Sequence, residues 1–170
     1  MSAKDDFFKK VRENADSDEE RRSKVKSDIN TYRSAIYDLT KQIEIWLHGS
    51  GVGVSTTENN FRDETILTLQ GCEDLSAYQI HVCGIKNGEK VAIIAPEGIY
   101  GGRRTKGWAS LIIKIPNQIP GTLKFILRFT DENNWTIKTG EDVASMYASV
   151  IAEEIPLTEE SFFRAIQSLA

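Results

Sequence analysis

The chain has little of what small catalytic or stapled proteins rely on. Only two cysteines, Cys72 and Cys83, stand in 170 residues. So few cannot build the dense disulfide framework of a small secreted domain, and reduced thiols are expected. With two histidines, His48 and His81, a zinc site would need all four of these side chains to converge. No apolar run approaches the roughly 20 residues that span a bilayer, and Met1 to Lys10 is charged where a signal peptide would be apolar. A cytoplasmic protein without membrane contact is therefore expected. The formal net charge of -4 and a pI near 5.3 argue against nucleic-acid binding through bulk charge and leave room only for a local basic patch.

Catalytic motifs are missing as well. There is no Ser-centred elbow, no Walker loop and no helical His pair. No Asp or Glu stands two residues before a Lys, the arrangement of one large class of metal-dependent nucleases. Gly49, Gly51 and Gly53 follow a helix, whereas a phosphate-binding glycine loop precedes one, so they read as a helix stop. Glu58, Asp63, Glu64, Glu73 and Asp74 read as surface acids, because carboxylates are seldom buried. His81 and Cys83 share a face of a predicted strand, with Cys72 nearby in sequence. A Cys/His enzyme is one reading of that group; a buried core thiol is the plainer one. No cofactor or metal is assigned.

What is present is periodicity. Val25, Ile29, Tyr32, Ile36, Leu39, Ile43 and Trp46 fall at alternating gaps of four and three, which keeps one seam of a helix apolar for roughly six turns. Stepping the heptad back gives Arg22, Asp18, Ala15, Val11 and Phe8. The polar positions predict a short first helix over Asp5 to Glu13 and a break near Asp16 to Asp18, with Asp18 capping the long helix. The seam serves either as the cover of a sheet in a monomer or as the contact of a homodimer through the N-terminal helix.

After Gly49 the pattern changes to strands. Ser55 to Asn60 reads as a polar loop and Thr65 to Gln70 as a strand. Asn87-Gly88 predicts a two-residue hairpin turn between Ile80 to Lys86 and Glu89 to Ile94, pairing Lys86 with Glu89. Gly98 to Tyr100, Trp108 to Ile115, Leu123 to Thr130 and Trp135 to Lys138 follow. Val143, Met146, Tyr147, Val150 and Ile151 share a helical face, although a strand remains an open reading for 141–153. Thr158 caps a last helix over Glu159 to Leu169.

The expected architecture is a single α+β domain over 1–170. Residues 1–48 form the helical segment, 61–138 an antiparallel meander of about five or six strands, and 141–169 the C-terminal helices on one face. The candidate binding site is the Gly-flanked loop: Arg103, Arg104 and Lys106 at its tip for charged hydrogen bonds, Tyr100 and Trp108 at its base for apolar contact. The expected function is a non-catalytic protein-binding module, such as an inhibitor, immunity protein or regulatory subunit. Its acidic balance would suit a basic toxin or enzyme as partner. A nucleic-acid-associated protein contacting phosphates through the same loop is the alternative.

Overall fold

A computed structural model describes residues 2–119, 121–140 and 153–170. It contains a long N-terminal helix, a seven-stranded antiparallel sheet and a C-terminal helix. Helix α1 runs unbroken over Ala3–Leu47, 45 residues, or about 68 Å. The predicted break at Asp16 to Asp18 is absent, and Asp18 is not a cap. Ser2 is the N-cap, closing a capping box with Asp5. No Gly or Pro interrupts residues 2–47, and the polar seam positions mark the place where the helix leaves the sheet. There Arg22 donates to the Asp74 carboxylate through both terminal nitrogens, at 2.7 and 2.9 Å, and to the Gly71 carbonyl at 2.8 Å. That pair raises the Arg22 pKa and lowers that of Asp74, the shared hydrogen bond being the main cause.

The seam from Val25 to Ile43 is buried as its spacing requires, but at its end Leu47 takes the core place and Trp46 is only half-buried. A straight helix turns every 3.6 residues and drifts from a 3.5-residue repeat. The apolar stripe therefore moves from Leu39 to Ile43 to Leu47 in steps of four.

The sheet is a plain meander in chain order: β1 Gly53–Arg62, β2 Ala77–Asn87, β3 Lys90–Gly98, β4 Thr105–Lys114, β5 Thr122–Thr130, β6 Trp135–Thr139 and β7 Ile155–Pro156. Three segments differ from their sequence reading, the first being Gly98 to Tyr100, which forms no strand of its own because β3 ends at Gly98. Ser55 to Asn60 lies inside β1, which pairs with β2 from Gly53↔Lys86 to Arg62↔Ala77; an edge strand buries little and tolerates polar residues. Thr65 to Gln70 is not a strand. Asp63 caps a short helix α2, Glu64–Leu67, followed by a 3-10 turn at Glu73–Ser76, so local capping prevails over a brief alternation. The turn of the β2–β3 hairpin falls one residue later than expected, which moves the partner of Lys86 by two: Asn87 pairs with Lys90 and Lys86 with Val91. Gly88, at φ +62, takes the first central position of the turn, where a type II′ geometry uses Gly. The expected Lys86–Glu89 pair is therefore replaced.

Register assigns the faces. Cys83↔Ile94↔Leu111↔Phe125 and Ile85↔Ala92↔Ile113↔Leu123 form two apolar rows, with Ala109↔Leu127↔Ile137 beside them. All are buried, beneath α1 and helix α3, Glu159–Ala165. Thr158 caps α3 as predicted, again with a capping box, and the last turn tightens to 3-10 at Gln167–Leu169. Trp46 of α1 meets Phe162 of α3 at 5.2 Å between ring centres. The expected helix over Val143 to Ile151 lies outside the described residues.

Candidate functional site

The Gly101–Gly107 loop does not gather its five candidate residues into one site. Tyr100 turns inward: its hydroxyl donates to Asp28 Oδ2 of α1 at 2.6 Å and its backbone N–H to Thr65 Oγ1 at 3.1 Å. Burial, and after it the Asp28 carboxylate, push its phenol pKa up. Lys106 donates to Asn133 Oδ1 at 2.7 Å. These two line a small cavity of about 230 Å³ against α1. Arg103, Arg104 and Trp108 line another, of about 540 Å³, together with Arg128, Asp131 and Glu132.

The loop is held to the neighbouring turn by its backbone. Arg104 sits at φ +51, and its carbonyl accepts from Asp131 N at 2.8 Å and Arg128 Nη1 at 3.3 Å. Among the described residues, the guanidinium groups of Arg103 and Arg104 form no ion pair. Asp131 and Glu132 share their cavity, which weakens it as a pure phosphate site.

Trp108 connects this cavity to a larger surface. The register places Gly84, Ile93, Ile112 and Lys124 in one row on the face of the sheet opposite the core. Ala95, Ser110, Ile126 and Lys138 form the next, and Trp108, Arg128 and Thr136 the third. Lys86, Val91, Lys114 and Thr122 make a fourth. Ile93, Ile112 and Ile126 are half-buried, and Lys86, Lys114 and Lys138 are exposed. No helix among the described residues packs over these rows. Five cations thus surround an aliphatic strip in a chain whose net charge is negative. Two carboxylates reach in. Glu97 accepts from Ser110 Oγ at 2.6 Å and lies 4.0 Å from Lys124 Nζ. Glu154 meets Arg128 Nε at 2.5 Å, and this contact first of all lowers its pKa.

This cationic face was not legible as a motif, because its members come from five strands and meet only through register. The signal that could have found it is the two-residue period of the exposed positions, Lys124, Ile126 and Arg128 in β5 above all.

The two thiols of the Cys/His group are part of the core, while His81 is half-buried at the flank of α1. Cys72 and Cys83 are fully buried free thiols, and burial pushes Cys83 up to about 11. His81 stands edge-on to the Tyr37 ring at 5.1 Å. A nucleophilic thiol needs the opposite shift. Among the described residues, no three His, Cys, Asp or Glu side chains converge as a metal site, and no helix is long and apolar enough to cross a membrane.

Asp63 corrects another expectation. Rather than a surface acid it is fully buried. Its Oδ1 accepts from Thr65 N at 3.0 Å and from Thr65 Oγ1 at 2.5 Å, and its Oδ2 accepts from the Tyr78 hydroxyl at 2.6 Å and Ile99 N at 3.1 Å. Burial and the Asp63 carboxylate raise the Tyr78 pKa. With every oxygen engaged, the carboxylate joins α2, β2 and the end of β3.

A cavity of about 990 Å³ runs along the flank of α1 beside Trp46, Phe129, Trp135 and Leu157, and shares none of the loop residues. No protein-family model, curated protein or solved structure matches the chain.

Proposed function

We propose that this protein is a non-catalytic protein-binding module, acting as an inhibitor, immunity protein or regulatory subunit, and that it binds through the face of its sheet opposite the core, over which no helix of the described residues packs. The observation that carries the reading is the aliphatic strip Ile93, Ile112 and Ile126 ringed by Lys86, Lys114, Lys124, Arg128 and Lys138. A sheet face takes a helix or another sheet, and cations around an apolar centre favour a partner segment with acidic flanks. Net charge alone suggested a basic partner; the distribution of charge favours an acidic segment. Arg103, Arg104 and Trp108 extend the same surface at one corner. The aliphatic centre also separates this face from single-strand nucleic-acid platforms, which stack bases on aromatic rings.

The test is affinity capture from the native cell with the full chain as bait, run beside Lys114→Glu/Lys138→Glu and Arg103→Glu/Arg104→Glu variants. The expected result is a protein held by the wild type and released by the first variant, with thermal melting unchanged. Equal capture by both would remove the face, and capture of nucleic acid in place of protein would favour the phosphate-binding alternative.

A further inference from the structure

Residues 2–21 of the chain are all exposed, and the first buried position of α1 is Val25. The helix therefore extends about five turns, nearly 30 Å, beyond the body of the domain. Its root is fixed: Arg21 donates to the Gln70 carbonyl at 3.1 Å, and Arg22 grips Gly71 and Asp74. The arm carries Phe7 at 63%, Phe8 at 48% and Val11 at 51% exposure. Phe8, Val11 and Ala15 continue the heptad seam that further along is buried against the sheet. An exposed seam of this kind covers itself best with another helix.

The charges say which helix. From Lys4 to Arg12 the arm holds Lys4, Lys9, Lys10 and Arg12 against Asp5 and Asp6, a net +2. From Glu13 to Glu20 it holds Glu13, Asp16, Asp18, Glu19 and Glu20 with no cation, a net -5. Side by side in the same direction, two such arms set like charge against like. Run in opposite directions, each basic half faces the other's acidic half, and the contact is self-complementary about a two-fold axis. Sterics select the same arrangement. The seam side of α1 is filled by the chain's own sheet from Val25 onward, so a parallel partner would bring two sheets into the same space. An antiparallel one overlaps the arms alone.

We infer that the arm, residues 3–21, pairs with the arm of a second copy of this chain as an antiparallel two-helix contact, with Phe8, Val11 and Ala15 at its centre. This inference is independent of binding at the sheet face.

Light scattering and sedimentation of the full chain, from micromolar to sub-millimolar concentration at low and high salt, test it. The expected result is a species of twice the 19.1 kDa chain mass, whose dissociation constant rises with salt. Phe8→Asp/Val11→Asp is expected to be monomeric throughout, with an unchanged melt, because the arm does not touch the core. Reversing only the basic half (Lys4→Glu, Lys9→Glu, Lys10→Glu, Arg12→Glu), or only the acidic half (Glu13→Lys, Asp16→Lys, Glu19→Lys, Glu20→Lys), should each give a monomer. Mixing the two should restore a dimer, which also controls for arms that merely lost their helix. A single-chain mass at every concentration, a dimer that survives Phe8→Asp/Val11→Asp, or failure of the mixture to associate would each overturn the inference.

Discussion

The ring of Tyr32 lies directly on the backbone of Gly107: a Cβ at residue 107 would stand 2.2 Å from Cδ1 and 2.4 Å from Cε1 of that ring. The contact sits beside two irregularities in register, between Pro96 and Gly98 in β3 and between Thr105 and Gly107 in β4. Through the gap the Tyr32 hydroxyl donates to the Trp108 carbonyl and accepts from Glu97 N. Helix and sheet are thus pinned where the ladder is distorted, and burial drives the Tyr32 phenol pKa up.

Gly107→Ala is accordingly expected to lower stability by about 1–3 kcal/mol, since an added methyl in a closed contact forces the ring or the strand to move. Tyr32→Phe keeps the ring but strands the Glu97 N–H and the Trp108 carbonyl, and should lower stability by about 1–3 kcal/mol. Denaturant unfolding measures both. Wild-type stability in Gly107→Ala would show that the ring has room to shift.

The seam of α1 was legible because a helix covering a sheet must repeat its apolar residues, and the strands from Ile80 onward were legible from turns and alternation. The structure departs from the sequence reading where a local pattern had no tertiary context. The polar positions Asp18 and Arg22 suggested a break, yet a helix breaks for backbone reasons, and nothing in the backbone required one. Asp63 reads in sequence as a surface acid because nothing in its neighbourhood reveals the distant donors, Tyr78 and Ile99. At the loop, charge density was visible but direction was not: Tyr100 and Lys106 turn to α1 while Arg103, Arg104 and Trp108 turn away.

Asp63→Ala should be among the most damaging single changes in the chain. It removes one carboxylate but leaves the part-buried donors of Thr65 and Tyr78 and the buried N–H of Ile99 without that partner, each unsatisfied buried donor costing about 1–3 kcal/mol. The loss is expected to reach at least about 3 kcal/mol. Gly98, at φ +149, is the companion position: a Cβ there would approach Asp63 Oδ1 to 2.8 Å and Thr65 Cγ2 to 2.6 Å. Gly98→Ala should therefore also destabilise, and combined with Asp63→Ala its penalty should shrink, since residues in contact are not additive. Strict additivity in unfolding experiments would mean that the two positions do not act on the same contact.

Cys83 links burial to alkaline stability. Its ordinary pKa is 9.0 and burial raises it to about 11 in the folded chain, so the folded state favours the protonated thiol. A group raised on folding contributes its stability in full below the unfolded value and loses it as pH rises through the folded one. Between about pH 9 and 11, the free-energy difference between wild type and Cys83→Ala should fall by up to about 2–3 kcal/mol. Taking the difference cancels the titration of Tyr32 and Tyr78, which both forms share. In the native protein near pH 8, neither Cys83 nor Cys72 should react with a thiol reagent, and both should react at once on unfolding. Rapid native alkylation of Cys83 would instead identify an exposed thiolate and revive the Cys/His reading of His81 and Cys83.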